Sequence, residues 1–214
     1  MSTTFSAAIF DLDGTLIESN SVWEKLDRMI LARRGLSCSD EFITDLTAMS
    51  YEDAAAAMQN IGINISTEEF IREINELAVI EYGSNIFLKD GAFEYLNYLK
   101  NNNIKIALAT ASPRELYKPV LEHNGVYSLF DAFVTTDEAG AGKDSPAVYL
   151  LAAQKLGIAP HMCAVFEDIP KGIACAKSAG MYAVGVYDKY SEKYMGEIKR
   201  TADIFIYSFT EMIP

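Results

Sequence analysis

Two aspartates, Asp11 and Asp13, follow the first short apolar run of the sequence and are followed directly by Gly14. In an extended chain, side chains two residues apart point to the same face. Two carboxylates that close repel each other, and the pKa of one of them rises unless a cation lies between them. Taken alone, the motif is as typical of a capped turn at a strand end as of a binding site. The pair by itself therefore leaves both interpretations open.

Further polar residues lie at the ends of later apolar runs, namely Thr110, Glu167 and Asp168, and Lys143 lies in a glycine-rich loop. A cluster of carboxylates without His or Cys is typical of a Mg²⁺ site. Lys143 can balance these charges and hold a transferring phosphoryl group, although its loop lacks the spacing of a P-loop. Thr110 precedes a predicted helix, whose N-terminus attracts anions. Ser112 is interpreted as the N-cap of that helix, so Thr110 is the better ligand candidate.

Six short apolar runs predict the strands that would position these residues. They are continuous rather than alternating, which is typical of strands buried on both faces. Helical patterns separate them, and this alternation predicts an α/β, Rossmann-like three-layer core with a mostly parallel sheet. Ligands bind beyond the carboxyl ends of the strands in such sheets, so the polar residues are expected to meet at one edge. The predicted strands are Ala7–Leu12, Ile104–Ala109, Ala132–Thr135, Cys163–Phe166, Ala183–Tyr187 and Ile204–Tyr207.

A helical insert interrupts this alternation after the first strand. Serines followed three residues later by Glu or Asp, at Ser21, Ser50 and Ser66, predict helix starts. We therefore expect an α/β core formed by residues 1–17 and 88–214, and a small inserted α-helical domain at residues 18–87. The predicted helices of the insert are Ser21–Arg34, Asp40–Ala48, Tyr51–Asn60 and Thr67–Tyr82.

The composition excludes several classes of protein. With 18 basic and 30 acidic residues the net charge is −12, which argues against a nucleic-acid partner. No apolar run reaches the length of about 18 residues that a membrane span needs, so we expect no membrane partner. The three cysteines match no zinc pattern and no disulfide framework, and the N-terminus lacks the features of a signal peptide. We interpret the protein as cytoplasmic.

The polar motifs and their order resemble the haloacid dehalogenase (HAD) superfamily over nearly the whole chain. The four motifs that carry the resemblance are Asp11 to Thr15, the strand end at Thr110, Lys143, and Glu167-Asp168. The segments that follow the last two motifs resemble the branch of β-phosphoglucomutase and small sugar-phosphate phosphatases. In that branch a helical cap is inserted after the first motif, where the helical insert lies here.

The resemblance implies a role for each acid. Asp11 would be the nucleophile that forms an aspartyl phosphate. Asp13 would be the general acid that protonates the leaving group and then the base that activates water. Mg²⁺ would be held by the Asp11 carboxylate, the Asp13 carbonyl and Asp168, with Glu167 binding it directly or through water.

The resemblance also implies a phosphate site, with two departures from the family pattern. Thr110 and the amide of Ala111 would hold phosphate oxygens, and Lys143 would neutralise charge in the transition state. Many relatives have an acid where this chain has Ala147, so the support of Lys143 is expected to differ. Mutases of the branch often carry an arginine in the segment corresponding to Met49–Asp53, and this chain has none there.

The missing arginine, together with Thr15, favours a phosphatase over a mutase. We therefore predict a Mg²⁺-dependent phosphoric monoester hydrolase that acts on a small phosphorylated metabolite such as a sugar phosphate, as a monomer or weak homodimer. A β-phosphoglucomutase-like mutase is the alternative within the family. Two alternatives without turnover are a receiver-like phospho-aspartate module and a regulatory protein on an inactive phosphatase scaffold.

Overall fold

The structure is a computed structural model that describes residues 5–47, 49–143 and 145–214. The chain divides into two compact units. One, the sheet unit, comprises the described residues up to Glu18 and Ile86–Pro214; the other, the helical unit, is Ser19–Asn85.

The sheet unit is built on six parallel strands. Their order across the sheet is β3-β2-β1-β4-β5-β6, and every neighbouring pair is parallel. The chain reverses its direction of travel across the sheet at β1, which is where such sheets bind ligands. The predicted α/β fold with a parallel sheet is confirmed. The strands are β1 Ala7–Phe10, β2 Lys105–Thr110, β3 Ala132–Thr135, β4 Cys163–Glu167, β5 Tyr182–Val186 and β6 Ile204–Ile206.

Both faces of the central strands are buried, as the continuous apolar runs predict. Successive residues of β1, such as Ile9 and Phe10, point to opposite faces because the side-chain period of a strand is two. Ile9 packs in a cluster with residues of three helices, whereas Phe10 stacks on Phe166 of β4 with ring centroids 4.5 Å apart. The helices of the sheet unit are α5 Ala92–Asn101, α6 Arg114–His123, α7 Thr136–Ala139, α8 Ala147–Leu156, α9 Pro170–Ser178 and α10 Met195–Thr201.

The helical unit consists of four helices around an apolar interior. Ser50 and Ser66 are N-caps whose hydroxyls accept hydrogen bonds from the amides of Asp53 and Glu69, whereas Ser21 makes no side-chain cap. The helices are α1 Val22–Ala32, α2 Asp40–Thr47, α3 Tyr51–Asn60 and α4 Thr67–Ser84. Residue 48, the predicted end of the second helix, lies outside the described residues.

Two further features complete the fold. Helix α5 lies where the apolar runs predicted no element, although its buried residues Ala92, Tyr95, Leu96 and Leu99 follow helical spacing. Within the described part of the chain, no helix is both long enough and apolar enough to cross a bilayer.

Candidate functional site

The carboxyl ends of β1 and β4 bring four of the predicted site residues together. Asp11 directly follows β1, and its amide donates to the carbonyl of Phe166 on β4 at 3.0 Å. Glu167 ends β4 and is followed by Asp168. Lys143, from the loop before α8, forms ion pairs with Asp11 and Glu167. These contacts lie beside β1, where the strand order reverses.

Three carboxylates form a buried cluster that could hold a metal ion. Asp11, Glu167 and Asp168 each offer an oxygen, and these three oxygens lie within 4.8 Å of one another. Burial raises the pKa of Asp11 well above its usual range, Lys143 opposes this, and the neighbouring acids reinforce it. Burial, reinforced by Glu167, raises the pKa of Asp168 to about 6. The donors are oxygens only, a set that suits a hard cation.

Glu167 has all of its acceptor positions occupied by the protein. Its Oε1 accepts from Lys143 Nζ at 2.9 Å and from Tyr149 Oη at 2.8 Å. Its Oε2 accepts from the amides of Asp168 at 3.0 Å and Ile169 at 3.2 Å. An ionised carboxylate offers about four lone-pair sites. In this arrangement Glu167 fixes Lys143 and the loop after β4.

Lys143 is a buried cation between two anions. Its side chain is only 16% exposed, whereas the side chains of Asp11 and Glu167 are 3% and 0% exposed. Burial lowers the pKa of Lys143, but the charges and hydrogen bonds of the two acids outweigh it and raise the pKa above its ordinary value. Lys143 therefore stays protonated over the whole range in which proteins are studied.

The second aspartate is oriented by a serine from the next strand end. Ser112 Oγ donates to Asp13 Oδ2 at 2.6 Å, and Asp13 is only partly buried. The interpretation of Ser112 as an N-cap is wrong, because Pro113 occupies that position at the start of α6. Gly14 has φ of 77°, a conformation that turns the chain sharply after Asp13 and that favours glycine.

The predicted phosphate-binding residues lie at the end of β2, the other neighbour of β1. Thr110 is buried, and its Oγ1 accepts from the amide of Ser112 at 2.9 Å. This bond leaves the hydroxyl hydrogen of Thr110 able to donate to a ligand oxygen. Ala111, between them, is exposed. The structure therefore presents a hydroxyl and an exposed backbone segment at this strand end.

Three hydroxyl groups that contact Glu167 or Asp168 were not predicted from the sequence. Tyr149 from α8 contacts Glu167, as described above. Asp168 accepts from Thr15 Oγ1 and from Ser191 Oγ, each at 2.9 Å. Ser191 lies in the loop after β5, more than twenty residues from its partner. The sequence identifies Thr15 only as part of the family motif. Its contact with Asp168 shows that it also positions that carboxylate.

Gly172 on α9 has no side chain, and Glu167 occupies the space that a side chain at this position would need. A methyl group at this position would overlap the carboxyl group of Glu167 and lie 2.7 Å from its Cγ. Since four hydrogen bonds hold that carboxylate, Gly172→Ala is expected to displace Glu167 and, with it, Lys143. We expect Tm to fall, by an amount equivalent to about 1–3 kcal/mol, and any activity that depends on Lys143 to fall by at least about tenfold.

Gly196→Ala is the matched control for this prediction. Gly196 is exposed in α10, and the nearest atom to its added methyl group would be a guanidinium nitrogen of Arg200 at 3.6 Å. This variant is expected to keep full activity and to gain up to about 1 kcal/mol, since alanine is the better helix former. Unchanged Tm and activity in Gly172→Ala would show that Glu167 is not held as described.

The parallel sheet carries an acid cluster and a buried lysine beside β1, where the strand order reverses. This arrangement is typical of an α/β enzyme, and comparison with known proteins gives its family. A family model described as haloacid dehalogenase-like hydrolase matches residues 5–180. The chain belongs to this family. Validoxylamine A 7'-phosphate phosphatase from Streptomyces hygroscopicus subsp. limoneus is 30% identical over 212 residues, covering 97% of this chain and 96% of that protein.

Two other relatives agree with this assignment. A phosphorylated carbohydrates phosphatase from Thermotoga maritima is 28% identical over 176 residues, which is 82% of each chain. A crystal structure from the same organism, of a protein designated a β-phosphoglucomutase, superposes with a TM-score of 0.82 at 25% identity and covers 94% of both chains. The predicted enzyme class, a hydrolase of phosphoric monoesters, is confirmed by the family and by the phosphatases among its relatives.

Proposed function

We propose that the protein releases phosphate from a small phosphorylated metabolite, such as a sugar phosphate, in a Mg²⁺-dependent reaction through a phosphorylated Asp11. The observation that carries the proposal is the placement of Asp11 between Lys143 and Asp168 at the end of β1. In the proposed reaction these buried residues supply the nucleophile, a cation for the transferring group and a second acid for a metal ion. The phosphatases among the relatives support the same reaction.

The proposed reaction has two displacements at phosphorus. In the first, an Asp11 oxygen bonds to phosphorus as the bond to the alcohol oxygen breaks, and Asp13 gives that oxygen its proton. In the second, Asp13 takes a proton from water, whose oxygen attacks phosphorus and releases Asp11 and inorganic phosphate. Ser112 supports this role because its hydroxyl orients the Asp13 carboxylate.

The metal ion in this proposal is Mg²⁺, held by the Asp11 carboxylate, the carbonyl of Asp13 and the Asp168 carboxylate. When bound, Mg²⁺ supplies positive charge that offsets the charge of the phosphoryl oxygens. Thr15 and Ser191 keep the Asp168 carboxylate in place. We assign Glu167 to the support of Lys143 rather than to the metal ion, because its four acceptor positions are filled.

Thr110, the amide of Ala111 and Lys143 are proposed to hold the phosphate oxygens. Thr110 has a hydrogen to donate, Ala111 is exposed beside it, and Lys143 is protonated. The three groups are all donors, which suits an anion.

The helical unit is proposed to act as the cap that sets substrate specificity, and its charges favour a phosphatase over a mutase. A mutase that works through a bisphosphate needs a cation for the second phosphate. Each of the five basic residues of this unit lies within 4.0 Å of a carboxylate. Arg34 makes two hydrogen bonds to Glu73, at 2.6 and 3.0 Å. Because one structural neighbour is designated a β-phosphoglucomutase, the mutase is the reaction to test against.

The deciding experiment is a phosphate-release screen with and without Mg²⁺ over sugar phosphates, phosphoglycolate and nucleoside monophosphates. We expect release that is abolished by chelation of Mg²⁺. Each active ester is then incubated with glucose 1,6-bisphosphate, and the products are separated. An isomerised sugar phosphate without free phosphate would establish a mutase, and a stable phosphorylated protein without turnover would establish a receiver-like module.

A further inference from the structure

A buried ion pair that the proposed mechanism does not use joins Lys89, just before α5, to Asp188, in the loop after β5. Lys89 Nζ lies 2.8 Å from Asp188 Oδ2, and the two side chains are 8% and 3% exposed. The same Nζ donates to the carbonyl of Tyr187 at 2.8 Å and lies 3.7 Å from a carboxylate oxygen of Glu18. All of these residues belong to the sheet unit.

Stability alone is a weak explanation for a pair of this kind. Lysine and aspartate are almost never fully buried unless they are paired. Removal of both charges from water costs free energy that can exceed the attraction between them, so a buried ion pair is poor evidence for a gain in stability. Its hydrogen bonds are directional, however, and they hold the bonded groups in one geometry. In this protein the group that the pair can hold is the loop after β5.

Asp188 also fixes the turn that follows it. Its Oδ1 accepts from the amide of Tyr190 at 2.8 Å, which is the bond of an Asx-turn. Its carbonyl accepts from the amide of Ser191 at 3.2 Å. Lys89 therefore holds the carboxylate of Asp188, and Asp188 holds the backbone that leads to Ser191.

The hydroxyl of Ser191 reaches the acid cluster from this turn. Ser191 is buried, and its Oγ donates to Asp168 Oδ2 at 2.9 Å. Thr15 Oγ1 donates to the other oxygen, Oδ1, at 2.9 Å. Each oxygen of Asp168 thus accepts one hydroxyl hydrogen bond, and together the two bonds define the plane of the carboxylate. Groups that orient a metal ligand in this way usually control metal affinity by about 10- to 100-fold.

We propose that Lys89 and Asp188 are positioning residues, which fix the loop after β5 so that Ser191 holds Asp168 in the orientation that binds Mg²⁺. The inference rests on the Mg²⁺ site of the function proposed above, because it names residues that orient one of the proposed ligands. It connects the ion pair to the acid cluster through one turn of backbone and one hydroxyl group.

Calorimetric titration with MgCl₂ tests the connection without turnover. We expect Ser191→Ala to raise the Kd for Mg²⁺ by about 10- to 100-fold. Asp188→Ala should raise it to a similar extent, although Asp188 is not one of the proposed ligands. The two changes together should raise Kd little more than the larger single effect, since both act through the same hydrogen bond. Independent effects would instead multiply.

A doubly apolar variant separates positioning from stability. Asp188→Ala leaves the charge of Lys89 buried without its partner, so its Tm is expected to fall. Lys89→Met combined with Asp188→Leu removes both charges and should recover most of that loss. Its Kd for Mg²⁺ should nevertheless stay at least about tenfold above that of the wild type, because leucine cannot accept from the amide of Tyr190. Recovery of Kd together with Tm would show that the pair serves stability only.

Asp203→Ala is the matched control. Asp203 also lies between a lysine and a backbone amide: it accepts from Lys177 Nζ at 2.6 Å and from the amide of Ala183 at 2.7 Å. These contacts lie toward the opposite end of β5 from the acid cluster. The variant should lower Tm, as loss of the Asp188 contacts does, but it should leave the Kd for Mg²⁺ unchanged.

The outcomes for the ion pair and for the phosphatase function are distinguishable. Equal Kd values in the wild type and in the variants of Asp188 would overturn the inference and leave the phosphatase function intact. Mg²⁺ binding that depends on Asp188, without hydrolysis of any ester, would support the inference and refute the phosphatase function. Absence of Mg²⁺ binding by the wild type would overturn both.

Discussion

Asp11→Asn is expected to lower Mg²⁺-dependent phosphate release by at least about 1,000-fold without unfolding the protein. Loss of a nucleophile removes the covalent route altogether, and effects of this size follow from such changes in other hydrolases. Folding should survive, because the amide oxygen can still accept from Lys143, and the change removes one of three mutually repelling carboxylates. We therefore expect Tm without Mg²⁺ to be equal to or above that of the wild type.

The same variant should lose part of the stabilisation by Mg²⁺. A ligand that binds the folded state raises stability in proportion to the logarithm of its concentration over Kd. Since Asp11→Asn removes one anionic ligand, the rise in Tm with added MgCl₂ should be smaller. Asp137→Asn, an exposed aspartate in the short helix after β3, is the control and should change none of these quantities. Full activity in Asp11→Asn would exclude the covalent mechanism.

The covalent step can also be observed directly. If Asp13 activates water in the second displacement, Asp13→Asn should accumulate phosphate on Asp11. We would use p-nitrophenyl phosphate, whose leaving group departs without a proton from Asp13. Peptide mass spectrometry after acid quenching should then find the phosphate on the peptide that contains Asp11. Phosphate on another residue would reassign the nucleophile.

Strand ends were the most predictable part of this site. Continuous apolar runs identified all six strands to within two residues, because burial on both faces of a parallel sheet constrains every residue of a strand. Asp11 and Asp168 could be placed at one edge from this alone. Helix α5 was not predicted, although its apolar residues at positions 92, 95, 96 and 99 follow helical spacing.

The partners of each side chain were much less predictable. Glu167 and Asp168 are adjacent in sequence and chemically alike, yet only the contacts of Tyr149 and Lys143 show which of them is already saturated. Ser112 has the sequence context of an N-cap, and only its bond to Asp13 shows another use. Such contacts join residues from separate strands and helices, so the sequence pattern around each residue does not predict them.

The interior of the helical unit shows the same limit. Trp23 and Met49–Tyr51 lie in the helical insert of the sequence, and core packing is the default interpretation of such residues. Asp27 gave no local signal, because an acid on an amphipathic helix is ordinarily exposed to water. Its burial follows from the packing of α1 with α2, where Thr47 meets it. Only the tertiary structure therefore distinguishes Asp27 from a surface acid.

Lys143→Met is expected to affect both catalysis and folding. Methionine keeps most of the volume but removes the charge that we propose to face the transferring phosphoryl group, and losses of about 100- to 1,000-fold are typical for such electrostatic groups. Without Mg²⁺, Asp11 and Glu167 would lose their cation in a buried place, which costs about 3–5 kcal/mol. Tm of the metal-free variant should therefore fall sharply.

Addition of Mg²⁺ distinguishes the effect of Lys143→Met on catalysis from its effect on folding stability. In the wild type, the ammonium group competes electrostatically with a metal ion for the same acids, so its removal makes the site more negative and should strengthen Mg²⁺ binding. We expect calorimetric titration to give a lower Kd, and MgCl₂ to restore much of the lost Tm, while phosphate release stays low. Lys100→Met, which breaks the half-exposed pair with Asp131, should change stability by no more than about 1 kcal/mol and leave activity unchanged. If Mg²⁺ restored activity together with Tm, Lys143 would be a structural counter-ion only, and the charge that stabilises the phosphoryl group would have to come from elsewhere in the site.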